Sequence, residues 1–147
     1  MSIAKASTRL PACLLSLRLT VFLVFFMWTL DKFVNPQHAS TVYENFYFIG
    51  GLGNAAFVVI GILEVLLILA FVAGLYKTWT YGLVFALHAV STLSSWQFYL
   101  GFDNLLFFAA WPMLAASWTL LVMREEDTMW TLGDRTGRLG RRDEPVA

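Results

Sequence analysis

Charged side chains are scarce in this chain, and their scarcity sets its class. Only 14% of its 147 residues are Asp, Glu, Lys or Arg, while 59% are hydrophobic. A soluble domain usually holds about a quarter charged and half apolar residues, and one core of this size cannot hide the excess. A lipid bilayer is therefore the expected solvent and first partner. The formal net charge is zero, without the basic footprint that nucleic-acid binding leaves. Cysteine is almost missing too. Cys13 stands alone, so no intramolecular disulfide and no CxxC pair can form; it reads as a small apolar side chain on a helix. Metal ligands are thin, since His38 and His88 fall on different segments and metal sites want clusters. No metal site is expected. Gly50-Gly51-Leu52-Gly53 is not a phosphate loop, because no lysine and no βαβ context follow it. With no nucleophile–base pair either, no catalytic residue is assigned, and an enzyme activity of the chain's own is not expected.

What the chain does have is apolar runs. Four reach the roughly 20 residues a helical crossing needs, at about 12–30, 53–75, 80–99 and 103–123. Hydrocarbon demands that each satisfy its backbone hydrogen bonds internally, as a helix does. The first follows Lys5 and Arg9 and contains Arg18, and no small-residue cleavage site comes after it, so it reads as a retained span. Very short connections at 76–79 and 100–102 force antiparallel neighbours. The fold class is therefore all-α: a four-helix transmembrane bundle of up-down topology over residues 1–123, with a polar tail over 124–147. Lys5, Arg9, Lys77 and the tail arginines lie on one side and only Lys32 on the other, which places both termini in the cytoplasm. Trp28, Tyr47, Trp96 and Tyr99 mark the outer boundary, and Tyr76, Trp79 and Tyr81 the inner one.

The first connection is the long one. Asn35-Pro36 predicts a helix start, with Asn35 capping and Pro36 in the first turn. Val42, Tyr43, Phe46 and Tyr47 then share one side of a short helix expected to lie flat on the outer membrane surface, ended by Gly50, Gly51 and Gly53. In the tail, Arg124-Glu125-Glu126-Asp127 is expected to leave the membrane, with Trp130 at the interface and a mobile end after Gly133.

Inside the spans, Arg18 and Glu64 are the ionisable residues far from an interface. Each costs about 2.5–3.5 kcal/mol at a helix centre unless partnered or wetted. Counting about 1.5 Å per residue, their depths differ by roughly 5–8 Å, which an arginine side chain largely spans, so an Arg18–Glu64 pair is expected. The alternative has Arg18 snorkelling to lipid phosphates and Glu64 as a lone carboxyl able to carry a proton. His88, Ser91, Thr92 and Ser95 fall at i, i+3, i+4 and i+7 on one face of the third span, turned toward other helices. Arg18, Phe22, Phe25, Thr29 and Lys32 share a face of the first span, and Gly53, Phe57, Gly61 and Glu64 a face of the second. In the fourth span Asn104, Phe108, Trp111, Ala115 and Trp118 line one side, and Pro112 frees the carbonyl of Phe108 and bends the helix. The candidates for lining an internal cavity are Arg18, Lys32, Glu64 and the stripe from His88 to Ser95, with Asn104 at the start of the fourth span. An aromatic interior with a few polar groups suits a flat amphipathic ligand such as a quinone; it suits close packing equally.

Arg18 early in span one, Asp31-Lys32 at its far end, Gly61-Ile62-Leu63-Glu64 and Gly74-Leu75-Tyr76-Lys77-Thr78, then Asn104-Leu105-Leu106, resemble in their order the DoxX-like family of bacterial four-helix membrane proteins. The resemblance covers about residues 14–123. It implies a bacterial inner-membrane protein, and an accessory or quinone- or lipid-associated subunit of a membrane redox system, acting with a membrane partner or as a homo-oligomer. The chain lacks the paired cysteines that a thiol relay in such a family would need. The competing expectation is a small dimeric proton-coupled transporter using Glu64.

Overall fold

The structure is a computed structural model that describes residues 3–101 and 105–133, with side chains from Arg9 onward. Among the described residues all regular structure is helical. The chain runs α1 (Ile3–Val34), α2 (Pro36–Tyr47), α3 (Asn54–Val72), α4 (Lys77–Ser94), α5 (Trp96–Leu100), a 3-10 turn (Leu105–Ala109) and α6 (Ala110–Val122).

Three segments are long and apolar enough to cross a membrane: Arg9–Val34 in α1, Asn54–Val72 as α3, and Leu105–Val122, which joins the 3-10 turn to α6. Only 28%, 22% and 11% of them is buried within the protein. Leu23, Leu63, Leu66 and Trp118 all point away from it. An apolar surface that extensive needs a cover other than water, and the architecture is that of an all-helical membrane protein. The third predicted span, about 80–99, is not among these three segments, and α4 carries Thr80, His88, Ser91 and Thr92 among its leucines and valines.

α1 packs on α3 and α6, and α4 packs on α3 and α6, so contacts among the four long helices close a ring. Its centre is filled by Leu14, Val21 and Phe25 of α1, Ile68 and Phe71 of α3, Tyr81 and Val84 of α4, and Leu120 of α6. Gly61 lets α1 come close to α3: a Cβ there would lie 2.6 Å from the Phe33 ring.

α2 starts as its sequence predicts, with Pro36 in the first turn and Asn35 Oδ1 accepting from the His38 amide. It packs against α1, α3 and α4, and Phe46 stacks on Phe98 beside Phe107. Its end differs from the glycine stop expected. Phe48 takes the left-handed conformation (φ 58°) and donates its amide to the Tyr43 carbonyl, so the capping bond forms before the chain reaches Gly50.

The chain after α6 also departs from expectation. It turns back under the helix ends instead of leaving, and Asp127 and Thr131 are buried. The Leu132 amide donates to the Ala73 carbonyl at 2.9 Å, in the α3–α4 connection. Gly74 makes the approach possible: its φ is +64°, and a Cβ there would stand 2.6 Å from Thr131 Cγ2 and 3.1 Å from Arg18 Nη1. Gly74→Ala is expected to cost at least the ~1–2 kcal/mol of a left-handed non-glycine residue, and to loosen residues 127–133 besides. Gly82→Ala, which meets nothing nearer than 3.9 Å, supplies the control. Equal thermal midpoints for the two variants in mild detergent would contradict this account. The remaining tail, 134–147, lies outside the described residues.

Candidate functional site

Arg18 does not meet Glu64. Its guanidinium donates from Nη1 to Asp127 Oδ2 at 2.9 Å and to the Tyr81 hydroxyl at 3.2 Å, and from Nη2 to the carbonyl of Met129 at 2.6 Å. Tyr81 passes its own hydrogen to Asp127 Oδ2 at 2.7 Å. Lys77 Nζ holds the Asp127 carbonyl at 2.8 Å. Arg18, Tyr81 and Asp127 are all fully buried. A buried charge needs both an opposite charge and hydrogen bonds for its remaining donors; the returning chain supplies the acid and carbonyls for Nη2, while Arg18 Nε and Asp127 Oδ1 are buried without a partner in the protein. The expected Arg18–Glu64 pair is thus replaced by Arg18–Asp127. An acid at the arginine's own level leaves no depth to bridge.

Glu64 has its own partner. Lys32 Nζ stands 2.8 Å from Glu64 Oε2, and the Thr29 hydroxyl lies 3.1 Å from the same oxygen while also donating to the Phe25 carbonyl. α2 covers this pair. The Tyr43 ring lies 5.9 Å from Lys32 Nζ and packs edge-on against Phe57. Burial, then the charge of Glu64, push the Tyr43 phenol up to about 12. One turn further, His38 Nδ1 and Asp31 Oδ2 approach to 2.6 Å and tie α2 to α1.

The polar stripe of α4 divides in two. Thr92 and Ser95 donate to the carbonyls of His88 and Ser91 in their own helix, at 2.8 and 2.9 Å, as hydroxyls in apolar helices commonly do. His88 reaches across to α6, where its Nε2 lies 3.0 Å from the Ala110 carbonyl. That contact falls beside the change from 3-10 turn to α-helix, near Pro112, which has no amide to give Phe108.

Beside His88 lies a cavity of about 580 Å³ between α1, α4 and the segment 106–116. Its walls are Val21, Val24 and Trp28 of α1 facing Phe107, Ala110 and Met113, with His88, Ser91 and Ser95 from α4. Of the predicted cavity residues, then, His88, Ser91 and Ser95 line this space. Thr92 is buried outside its lining, Lys32 and Glu64 form a separate pair, and Arg18 belongs to a third group with Asp127. Asn104 lies outside the described residues. Asp127 and Tyr81 are the partners that sequence reasoning missed. The available signal for Asp127 was an acid followed within three residues by Met129 and Trp130, an apolar pair ill suited to a solvated tail.

Among the described residues no group of three or more His, Cys, Asp or Glu could hold a metal ion. No known family model, curated protein or solved structure matches the chain, so the functional reading rests on these side chains and their geometry.

Proposed function

We propose that this chain is a four-crossing accessory protein of the bacterial inner membrane that holds an amphipathic, lipid-soluble ligand, of quinone or lipid type, in the cavity beside His88. The cavity carries this reading. Its volume of about 580 Å³ falls within the roughly 300–1,000 Å³ of small-molecule sites, and its largely apolar wall with a few polar groups fits their usual make-up. In this reading α4 is the third of the four crossings, α2 sits at the outer face, and both termini are cytoplasmic. The ring of helix contacts and the lysine and arginine placement support that arrangement. The resemblance of Arg18, Glu64 and their neighbours to the DoxX-like pattern supports an accessory role in a membrane redox system. The competing transporter reading needs Glu64 free to exchange protons with a substrate. A carboxylate held 2.8 Å from Lys32 and 3.1 Å from the Thr29 hydroxyl favours a fixed structural acid instead.

Filling the cavity tests the proposal. Val24→Trp adds bulk to its wall, whereas Leu23→Trp places the same side chain at an exposed position one residue away. Wild type and both variants are purified in mild detergent and their organic extracts compared by mass spectrometry. The expected result is a lipid-soluble compound present in wild type and Leu23→Trp and at least severalfold depleted in Val24→Trp. Equal extracts from all three would overturn the reading.

A further inference from the structure

Exposure divides the wall of the cavity into a floor and a mouth. Val21, His88 and Ser95 are buried and form the floor. Thr20, Trp28, Leu106, Ala109 and Pro112 line the same space yet are exposed, Trp28 at 45% and Leu106 at 82%. Thr20, Val24 and Trp28 follow one another at four-residue steps, along one edge of α1. Leu106 and Ala109, three apart in the 3-10 turn, fall on one line, which Pro112 continues. The mouth is the seam between these two edges. On α1 it is about 12 Å long, at about 1.5 Å per residue.

Both edges belong to segments long and apolar enough to cross a membrane. Thr20 falls near the middle of Arg9–Val34 and Trp28 nearer its α2 end, so the seam lies at the depth of hydrocarbon. The two ends of the cavity are walled by packed side chains. Toward α2, Phe107 stacks on Phe98 and stands 5.8 Å from Phe46. Toward the other end, Val21, Met113 and Ala116 belong to the packed core with Leu14 and Leu120. A polar solute would have to leave water and cross lipid to reach the seam. A hydrocarbon chain of the bilayer already lies against it.

We infer that the cavity is loaded sideways from the bilayer and takes the long hydrocarbon chain of a membrane lipid, acyl or prenyl. The chain enters between the α1 edge at Thr20–Trp28 and the facing edge at Leu106–Pro112. A water-borne amphiphile without such a chain has no route in. This inference rests on the cavity reading above and adds to it the class of ligand and the path it takes.

The test places the full chain in phosphatidylcholine nanodiscs with two photoreactive probes in turn. One is phosphatidylcholine bearing a diazirine midway along an acyl chain; the other is a diazirine-bearing benzoate, which stays in water. Labelled residues are mapped by mass spectrometry of peptides. The lipid probe is expected to label Val21, too buried for lipid on the outside to reach, and Met113, besides the exposed Leu63 and Leu66. The benzoate should label none of them. Ala109→Trp, which crowds the mouth, should cut the label on Val21 and Met113 at least severalfold and leave Leu63 and Leu66 unchanged. Leu106→Trp, further along the mouth, should do the same if the first variant fails to fold. A long-tailed quinone added as a minor component should lower the wall label severalfold if the chain is prenyl, and only in proportion to its share if the chain is acyl. Wall label from the benzoate, or wall label from the lipid that crowding the mouth leaves intact, would overturn the sideways route and leave the cavity reading standing. No wall label from either probe would overturn both.

Discussion

Asp127→Ala is expected to destabilise the protein by about 3–5 kcal/mol, the usual cost of removing one partner from a buried ion pair. Arg18 would keep its place at 0% exposure with no acid to balance it, and Tyr81 would lose the oxygen it donates to. The Tyr81 hydroxyl and the carbonyls of Met129 and Trp130, neutral acceptors all, would be what still faced the guanidinium. The measurement is the midpoint of thermal unfolding in mild detergent, together with the rate at which protease clips the chain after α6. The double variant Arg18→Met/Asp127→Leu separates charge from packing. Replacing both members of a buried pair by apolar residues is often close to neutral, so it should recover more than half of the loss, less the bonds Arg18 made to backbone. A single-variant loss below about 1 kcal/mol, or a double variant no better than the single, would show that the pair is incidental.

The second large effect is expected at Glu64. Glu64→Gln leaves Lys32, whose side chain is 10% exposed, as a cation without a counter-charge beneath α2. The glutamate itself is 20% exposed, so the cost should fall below that at Asp127, at about 1–3 kcal/mol, between the surface and buried limits. Lys32→Met should do comparable damage, and the double variant should be less than additive, because both changes remove one interaction. The loss should appear as lower membrane abundance and as faster protease cleavage in 48–53, where α2 joins α3. Normal abundance and unchanged cleavage in both single variants would mean that the pair does not hold α2 in place.

These two pairs show what the sequence reveals and where it stops. The periodic faces were legible: Thr29 and Lys32 on one helix and Gly61 and Glu64 on the next do converge, and the contact of Gly61 with Phe33 is the close approach that a glycine there permits. Helix α2 was legible from Asn35-Pro36 alone, because capping is local chemistry. The partners of the charges were harder. Depth counting treats a span as a ruler and looks for an opposite charge inside it, so it paired Arg18 with Glu64 and stopped at the last apolar residue. Asp127 lies past that limit, and reaching it requires a chain reversal that no periodicity encodes. The cavity was half visible. His88, Ser91 and Ser95 follow from helical spacing, whereas the opposite wall, Trp28 and Val24 against Phe107 and Met113, depends on how α1 and α6 are rotated about their axes.

The Arg18–Asp127 contact joins residues 109 positions apart, and that separation bears on how the protein is made. Synthesis runs from the N-terminus, so the arginine is delivered to the membrane long before the ribosome reaches its aspartate. Through that interval the first helix carries an unneutralised charge, whose burial cannot be completed until the last helix and the turn after it have emerged. A chain cut short at residue 126 would hold every membrane-length helix among the described residues and still lack the acid that balances Arg18.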